Sequence, residues 1–292
     1  MGAASLQSRP LRLAACLFAL AAVVASAPSG AAGEPPEPAA TEYEAQAQAK
    51  EEVASPPEAP VDERRTTHRF VSNLGRNMVG MFARDNLIPF AIGAGATGLA
   101  VPFDDNVERY FAQPEHKAKW LGDFTDQLGK PYILTPIAAV LYVAGRMAPD
   151  HKRFHEGTYD IAQVFLVSAV YTTSLKYATH RERPDGSDHL SFPSGHTSNA
   201  FAWATVANHH YGPKLGIPSF ALATLIGVGR MEMNVHHLSD VVAGATLGYL
   251  VGRTVVRRDS EPVPGTHPHQ LRLSPTTGPG GRGMGLTASL EF

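Results

Sequence analysis

Six stretches in the middle of the chain carry no charged side chain and are rich in alanine and other apolar residues. They comprise residues 86–103, 131–145, 161–175, 197–208, 215–229 and 241–252. None of them alternates between apolar and polar positions as a half-buried strand does, and glycine or proline stands at several of their ends. The pattern predicts an all-α fold, a helical bundle of about six helices.

Residues that can do chemistry gather at the boundaries of these runs. Lys176 follows the third run, and Arg230 follows the fifth. Ser194 and His196 precede the fourth run, and Asp240 precedes the sixth. In an up-and-down bundle all of these boundaries lie at the same end. We therefore expect the active site at one end of the bundle.

Three fixed cations, Lys176, Arg183 and Arg230, make this set of residues suitable for phosphate. A phosphate monoester carries up to two negative charges, and a site that excludes water must replace their hydration with cations and amide donors. Arginine grips two oxygens at once, whereas lysine acts as a mobile point charge. Ser194 and Gly195 lie near the predicted N-terminus of a helix, where backbone N–H groups point toward an anion and glycine permits close approach.

Two histidines and an aspartate complete an inventory for attack on phosphorus. His236 and Asp240 are four residues apart, so on a helix they share one face, and the carboxylate can accept a hydrogen bond from one ring nitrogen. The other nitrogen is then basic and ready to attack. His196 can protonate the leaving alkoxide and later deprotonate the water that cleaves the phosphohistidine. This scheme needs no metal ion.

The three clusters resemble the motifs of the type 2 phosphatidic acid phosphatases, which share their site with bacterial class A acid phosphatases and vanadium haloperoxidases. The chain has Lys176 with six residues before Arg183-Pro184, then Pro193-Ser194-Gly195-His196, then Arg230 with five residues before His236 and three more before Asp240. The order and the spacing match the family pattern, with one departure: Gly229 stands where the family usually has serine. The motifs span residues 176–240, and the flanking helices extend the resemblance to residues 86–253.

The resemblance implies the same roles that the residues themselves indicate. His236 is the expected nucleophile, Asp240 its orienting carboxylate and His196 the general acid. The expected phosphate ligands are Lys176, Arg183, Ser194, Gly195 and Arg230. No metal ion or other cofactor is expected.

Other polar residues of the same segment have less specific interpretations. His237 is adjacent to the predicted nucleophile but points about 100° away from it on a helix, so we expect a structural or supporting role. His180, Arg181 and His189 lie between the first two motifs and are expected to be solvated or at the rim of the substrate site.

These observations predict a metal-independent phosphatase of the cell envelope that acts on lipid phosphates or polyprenyl diphosphates through a phosphohistidine. One alternative is a soluble, non-specific acid phosphatase. A vanadium haloperoxidase is disfavoured because the chain lacks the length and extra domains of that group. A non-catalytic phospholipid-binding module would need neither His196 nor His236. The expected partners are a phosphorylated lipid or other phosphate ester, with membrane association, and no nucleic acid.

The N-terminal 65 residues have the composition of targeting and linker segments. Residues 1–31 predict a signal peptide with cleavage after Ala25, Ala27 or Ala31. Cys16, the only cysteine, lies before most of the apolar run, which disfavours lipidation, and a mature chain without it has no disulfides. Residues 32–65 are rich in proline, glutamate and alanine, which predicts a disordered linker before the phosphatase domain at residues 66–258.

Residues 259–292 are rich in glycine and proline, a composition that predicts a C-terminal tail. Apolar residues alternate in its last nine positions, a pattern that resembles the final strand of an outer-membrane barrel. One strand cannot make a barrel, so an ordinary edge strand or a tail is the favoured interpretation, and a short terminal strand is possible.

The sequence gives opposing indications of a membrane location. Each apolar run is shorter than the roughly 20 residues that a simple span needs. Basic residues lie opposite the expected catalytic end, which favours spans, but six spans after a cleaved signal peptide would place the site in the cytoplasm. We therefore expect an exported protein of the periplasm or cell envelope that is soluble or membrane-peripheral rather than polytopic in the inner membrane.

Overall fold

The structure is a computed structural model, and it describes residues 64–258, 270–277 and 284–291. Its α-helices are α1 (Phe70–Gly80), α2 (Leu87–Ala100), α3 (Asp104–Ala112), α4 (Lys119–Gly129), α5 (Pro131–Arg146), α6 (Lys152–Thr179), α7 (Gly195–Tyr211), α8 (Pro213–Glu232) and α9 (Leu238–Arg258). Two strands follow, β1 (Gln270–Thr277) and β2 (Met284–Glu291). Short 3-10 helices at Thr67–Arg69, Arg84–Asn86, Val101–Phe103 and Pro114–His116 connect some of the helices.

Each of the six predicted helical runs falls on a helix of the bundle, and the first also includes the 3-10 segments that flank α2, which confirms the all-α prediction for this domain. They correspond to α2 and α5–α9. The prediction, which relied on uncharged runs, missed α1, α3 and α4, because these short helices are amphipathic and mix charged with apolar residues. The third run also gave too short a length for α6, because this helix extends into polar sequence at both ends.

Helix α7 lies at the centre of the bundle and packs against α6, α8 and α9. The closest approach is to α9, where Gly244 and Gly248 face backbone carbonyl groups of α7. A Cβ atom would lie 2.5 Å from Ser194 O if added at Gly244, and 2.1 Å from Ser198 O if added at Gly248. The two glycines therefore allow the backbones of α7 and α9 to come together, and this brings Ser194 next to the start of α9.

The folded domain begins earlier than the sequence predicted. Arg65, assigned to the linker, is 3% exposed. Its guanidinium group donates hydrogen bonds to the buried carboxylate of Asp160 in α6, at 2.9 Å from Nε and 3.0 Å from Nη2. His210 at the end of α7 contacts the same carboxylate at 2.8 Å. The predicted signal peptide, Cys16 and the linker up to residue 63 lie outside the described residues.

The C-terminal segment contains an antiparallel hairpin in which Gln270 pairs with Glu291 and Thr277 with Met284. β2 lies in the last residues of the chain, where the apolar alternation suggested a short terminal strand. β1 lies within the segment that was interpreted only as a glycine- and proline-rich tail, because the alternation of its apolar residues is short and interrupted by Pro275. Residues 259–269, 278–283 and 292 lie outside the described part of the chain.

The helices expose many large apolar side chains, most densely along α2 and α5. In α2, Ile88 and Leu99 are 74% and 75% exposed. By length and composition, the 29 residues Arg84–Ala112 could cross a membrane, and 17% of their apolar window is buried. Lys119–Gly129 and Tyr132–Arg146 meet at 49° and qualify as a candidate span only when they are taken together as one bent helix pair. The described residues thus contain one candidate span, or two if the bent pair is counted.

Candidate active site

Ser194, one of the predicted phosphate ligands, directly precedes α7 and caps its N-terminus. Its side-chain oxygen caps the helix by accepting hydrogen bonds from Thr197, at 3.5 Å from the backbone N and 2.9 Å from Oγ1. Its backbone N–H donates to the carbonyl oxygen of Asp240 at 3.0 Å. This bond fixes the start of α7 against the start of α9, while the amides after Ser194 begin the helix and carry the partial positive charge of its N-terminus.

Lys176 and Arg183 approach this end of the bundle from the C-terminus of α6 and the loop that follows. The Lys176 ammonium group donates to the carbonyl oxygen of Leu190 and, at 3.4 Å, to that of Ser191. Burial, together with the positive charge of Arg183, lowers the pKa of Lys176 to about 8. Arg183 donates from Nε to the Asp188 carboxylate at 2.7 Å. Both cations are therefore held in place by the same loop.

Arg230 and His196 meet at Asp126, a residue of α4 that the motifs did not include. Arg230 Nη1 lies 2.5 Å from Asp126 Oδ1, and Lys130 contacts the other carboxylate oxygen at 2.8 Å. His196 Nε2 lies 3.7 Å from Asp126 Oδ1 and 3.3 Å from its carbonyl oxygen. Burial lowers the pKa of His196 to about 3, and the charges of Arg230 and His236 act in the same direction.

Gly129 sets the position of the His196 ring. A Cβ atom at this glycine would lie 1.8 Å from Cδ2 of the imidazole, so the ring packs directly on the backbone at the end of α4. Helix α4 therefore supports His196 through both Gly129 and Asp126.

His236 lies beside Asp240, but the predicted helical geometry is wrong. α9 begins at Leu238, so His236 is in the turn before the helix rather than on its face. Its Nδ1 is 3.7 Å from Asp240 Oδ2, beyond hydrogen-bonding distance, and has no hydrogen-bond partner among the described residues. The ring is buried, which lowers the pKa of His236 to about 4, and the charges of Lys176 and Arg230 contribute to the shift.

Asp240 is instead occupied by three other donors. Its Oδ2 accepts hydrogen bonds from the Ser191 hydroxyl at 2.5 Å and from the backbone N–H of His237 at 2.9 Å. Its Oδ1 accepts from Arg181 Nη1 at 2.6 Å. The contact with His237 caps the N-terminus of α9. Burial raises the pKa of Asp240, but the nearby donors and positive charges outweigh it and lower the pKa below its ordinary value.

Arg181 is a supporting residue of the site, and its interpretation as a solvated or rim residue was wrong. It bridges Asp240 and Asp104, whose Oδ2 lies 2.8 Å from Arg181 Nη2. Asp104, at the start of α3, also accepts hydrogen bonds from the backbone N and the hydroxyl of Ser239, at 2.8 and 2.6 Å. Asp104, Asp126 and Ser191 were missed, because each lies outside the motifs and only the fold brings it to the site.

The remaining histidines of this segment lie around the site. His237 Nε2 is 3.3 Å from the carbonyl oxygen of Glu182, which agrees with the supporting role expected for it. His180 ends α6 in the left-handed conformation, with φ 49°. Its ring packs edge-on against His189 with the ring centroids 5.4 Å apart.

Residues 159–261 match the model of the PAP2 superfamily. These residues belong to that superfamily. The match begins in α6 and includes every motif residue, from Lys176 to Asp240. It therefore confirms the resemblance that the motifs carry.

Three relatives show the same similarity. The chain is 44% identical over 80 residues to lipid A 1-phosphatase of Porphyromonas gingivalis, which is 26% of this chain and 18% of that protein. It is 31% identical over 206 residues to lipid phosphate phosphatase 1 of Arabidopsis thaliana, 56% of this chain and 58% of the relative. It is 25% identical over 139 residues to a PA-phosphatase related-family protein of Dictyostelium discoideum, 38% and 50% of the two chains. The chain spans less than two thirds of each relative.

Two solved structures are similar to this chain. The first is the crystal structure of a transmembrane PAP2 type phosphatidylglycerolphosphate phosphatase from Bacillus subtilis, with 21% identity and a TM-score of 0.45 over 66% of this chain and 96% of that one. The second is Aquifex aeolicus LpxE, with 25% identity and a TM-score of 0.43 over 55% and 95% of the two chains.

The one departure from the PAP2 motif has a steric reason. A Cβ atom at Gly229 would lie 1.9 Å from the Oγ1 atom of Thr125 in α4. The Thr125 hydroxyl is fixed there by hydrogen bonds to the carbonyl oxygens of Leu121 and Gly122, at 2.7 and 3.1 Å. A serine at position 229 would collide with this threonine, so glycine accompanies the close packing of α4 on α8.

Proposed function

We propose that the protein is a metal-independent phosphatase that hydrolyses lipid phosphates through a phosphohistidine on His236. The observation that carries the proposal is the buried His236 imidazole beside Asp240, with its lowered pKa, within the influence of the Lys176 and Arg230 charges. Because its pKa is about 4, the ring is neutral at neutral pH and has a lone pair for attack. A positive surrounding also favours the incoming phosphate dianion.

In the first half-reaction, Nε2 of His236 attacks phosphorus while Nδ1 faces Asp240. The N–P bond forms as the bond from phosphorus to the leaving oxygen breaks, and His196 gives that oxygen a proton. Lys176, Arg183 and Arg230 bind the non-bridging oxygens together with the backbone amides that follow Ser194 at the start of α7. These groups stabilise the transition state because they are fixed before the charge redistributes.

In the second half-reaction, water replaces the alcohol that has left. His196, now neutral, removes a proton from the water as its oxygen bonds to phosphorus, and the N–P bond breaks to release inorganic phosphate and free His236. The first step requires a protonated His196, whose pKa in the empty site is about 3. A bound phosphate dianion offsets the repulsion from Arg230 and raises this pKa, so substrate binding itself loads the general acid.

A cavity of about 310 Å³ that begins at His196 supports a lipid as the leaving group. It lies between α4–α6 on one side and α7 and α8 on the other, and its wall is mostly apolar. Leu134, Ile137, Leu222 and Ile226 are among the lining residues. Two of the relatives are named as phosphatases of lipid A and of lipid phosphates. Such a wall stabilises an acyl or prenyl chain by removing it from water.

We place the enzyme at a membrane of the cell envelope, with the catalytic end on the exported side. The exposed apolar side chains of α2 support direct contact with lipid, because a soluble helix would bury such a face. This contact favours a membrane-associated protein over the soluble form of the sequence-based expectation. It also brings the cavity to the place where lipid substrates reside.

The test is to trap the phosphoenzyme. Purified protein is mixed with radiolabelled phosphatidic acid in detergent and EDTA, then quenched in base, which preserves phosphohistidine. Label should remain on the wild-type chain, and His236→Asn should lose it together with at least about a thousandfold of the turnover rate, as expected when a nucleophile is removed.

His237→Asn is the matched control, because it removes the neighbouring imidazole and should retain both label and turnover. Undiminished turnover by His236→Asn would contradict the mechanism. Strong inhibition by EDTA that Mg²⁺ reverses would contradict metal independence. Activity restricted to soluble phosphate esters would contradict the lipid substrate.

A further inference from the structure

Asp126 connects the proposed general acid with one of the proposed phosphate cations. Its Oδ1 atom lies 3.7 Å from His196 Nε2 and 2.5 Å from Arg230 Nη1, and its Oδ2 atom lies 2.8 Å from Lys130 Nζ. The Asp126 side chain is 19% exposed, so these contacts are partly shielded from water. Two cations in contact with the carboxylate favour its charged form. A negative charge therefore lies beside the His196 ring.

The backbone of Asp126 determines which nitrogen of His196 can transfer the proton. His196 Nε2 lies 3.3 Å from the Asp126 carbonyl oxygen. A carbonyl oxygen only accepts hydrogen bonds, so Nε2 carries a hydrogen in the neutral ring as well as in the charged one. Nδ1 is then the atom that gains and gives the proton. Gly129 packs nearest to Cδ2, on the Nε2 side of the ring, and helps to hold this orientation.

We propose that Asp126 is a positioning residue that acts through His196, holding its Nε2 atom and stabilising the charged imidazole that protonates the leaving oxygen. This inference rests on the proposed phosphatase activity and deepens its account of the general acid. The P–O bond breaks with its electron pair going to the leaving oxygen, and Nδ1 of the charged His196 gives that oxygen its proton and becomes neutral. Asp126 exchanges no proton in this step.

The surroundings of His196 explain why the charged ring needs a carboxylate beside it. Burial and the charges of Arg230 and His236 lower the pKa of His196 to about 3, and Asp126 acts in the opposite direction. Without this carboxylate the charged ring would be less stable still, and less of the enzyme would hold the proton that an alkoxide needs. Asp126→Asn removes the charge but keeps the backbone carbonyl group, a similar shape and an oxygen that accepts from Arg230.

The experiment compares a substrate whose leaving oxygen needs a proton with one whose leaving oxygen does not. Phosphatidic acid releases an alcohol, whereas p-nitrophenyl phosphate releases a stable phenolate anion. The measured quantity is the ratio of their kcat/KM values in the same detergent micelles, with phosphatidic acid in the numerator. Asp126→Asn should lower this ratio about tenfold or more, as a share of the roughly 10²–10⁴ that a general acid contributes. Partial misfolding would lower both values equally and leave the ratio unchanged.

Asp123→Asn is the matched control, because it makes the same substitution at an exposed position of α4, three residues before Asp126. It should keep the wild-type ratio. His196→Gln should lower the ratio at least as much as Asp126→Asn does. The double variant of Asp126 and His196 should lower it no further than His196→Gln alone, since one residue acts through the other.

The outcomes separate this inference from the proposed function. An equal loss toward both substrates in Asp126→Asn, or no loss, would overturn the inference. A further fall of the ratio in the double variant, or the same fall in Asp123→Asn, would overturn it as well. If the wild type hydrolyses neither substrate, or only p-nitrophenyl phosphate, the proposed lipid phosphatase function fails instead.

Discussion

At the scale of single residues, Asp240 makes its hydrogen bonds to groups other than the neighbouring His236 ring. Asp240 uses its oxygens on Ser191, Arg181 and the backbone of His237, so it holds the structure of the site and faces His236 only at 3.7 Å. The carboxylate is itself positioned by donors from the loop after α6 and from His237, which precedes α9. In the proposed mechanism, this arrangement leaves Nδ1 of His236 ready to gain a closer contact when the ring becomes positive during attack.

Lys176 determines the predicted alkaline limit of activity. Its pKa is lowered from 10.5 to about 8, so the ammonium group is charged below about pH 8 and neutral above it. His236, with its pKa lowered to about 4, is neutral and nucleophilic above that value. We expect kcat/KM to fall below about pH 4, where His236 becomes protonated, and above about pH 8, where Lys176 loses its charge.

The substitution Lys176→Arg identifies the alkaline limb. Arginine stays charged at every pH in the range, so the fall above about pH 8 should disappear, although the maximum should also drop because the geometry of the cation changes. The measurement is a profile of kcat/KM against pH for both proteins. An unchanged limb in Lys176→Arg would assign it to another group.

At the scale of elements, the site depends on the close approach of α7 and α9. The hydrogen bond from Ser194 N to Asp240 O joins the two helix N-termini that carry the phosphate amides and the orienting carboxylate. Gly244 and Gly248 make this possible, since a side chain at either would press on the backbone of α7. The close approach of the two helices therefore depends on glycines that are not among the residues proposed to do the chemistry.

Gly248→Ala should lower both stability and activity. Its new methyl group would lie 2.1 Å from the Ser198 carbonyl oxygen, which the backbone cannot easily move. Overpacking of this kind costs about 1–3 kcal/mol of unfolding free energy and should separate the two helix N-termini. Thermal unfolding and kcat are the measurements.

Gly95→Ala provides the comparison, because no atom lies within 4 Å of the added Cβ in α2 and alanine is the better helix former. This variant should be as stable as the wild type or slightly more so. Equal behaviour of the two alanine variants would show that the contact between α7 and α9 has room for a methyl group.

At the scale of the whole molecule, the catalytic end and the apolar surface serve different purposes. The end near His236 gathers cations, whereas the sides of α2 and α5 expose large apolar residues. The opposite end is closed by the buried Arg65–Asp160–His210 cluster, which ties the start of the domain to α6 and α7. The molecule is thus polar at its ends and apolar around part of its circumference.

This surface predicts firm membrane association. After expression of the full chain, the protein should remain in the membrane pellet in high-pH carbonate and require detergent for release. Replacing Ile88 and Leu99 with glutamate should increase the released fraction, because charges in contact with hydrocarbon are costly. Complete release of the wild type by carbonate would contradict lipid contact along α2 and favour a soluble or weakly peripheral enzyme.

The sequence by itself determined which residues form the candidate site and at which helix ends they lie. The spacing of the motifs and the absence of charge in six runs were enough to predict α2, α5–α9 and the boundaries at which Lys176, His196 and Arg230 stand. These are local properties, because helix formation and the ends of helices depend on residues near in sequence.

Only the tertiary structure decided which groups support that site. Asp126 and Asp104 reach it from α4 and α3, far from the motifs in sequence, and Arg181 joins it through contacts that its loop position does not reveal. The helical pairing expected for His236 and Asp240 failed because the start of α9 depends on its cap rather than on spacing. Gly229 likewise has its reason in Thr125, a neighbour that only packing brings close. Such contacts depend on how distant segments pack, and residue spacing along one segment carries no information about them.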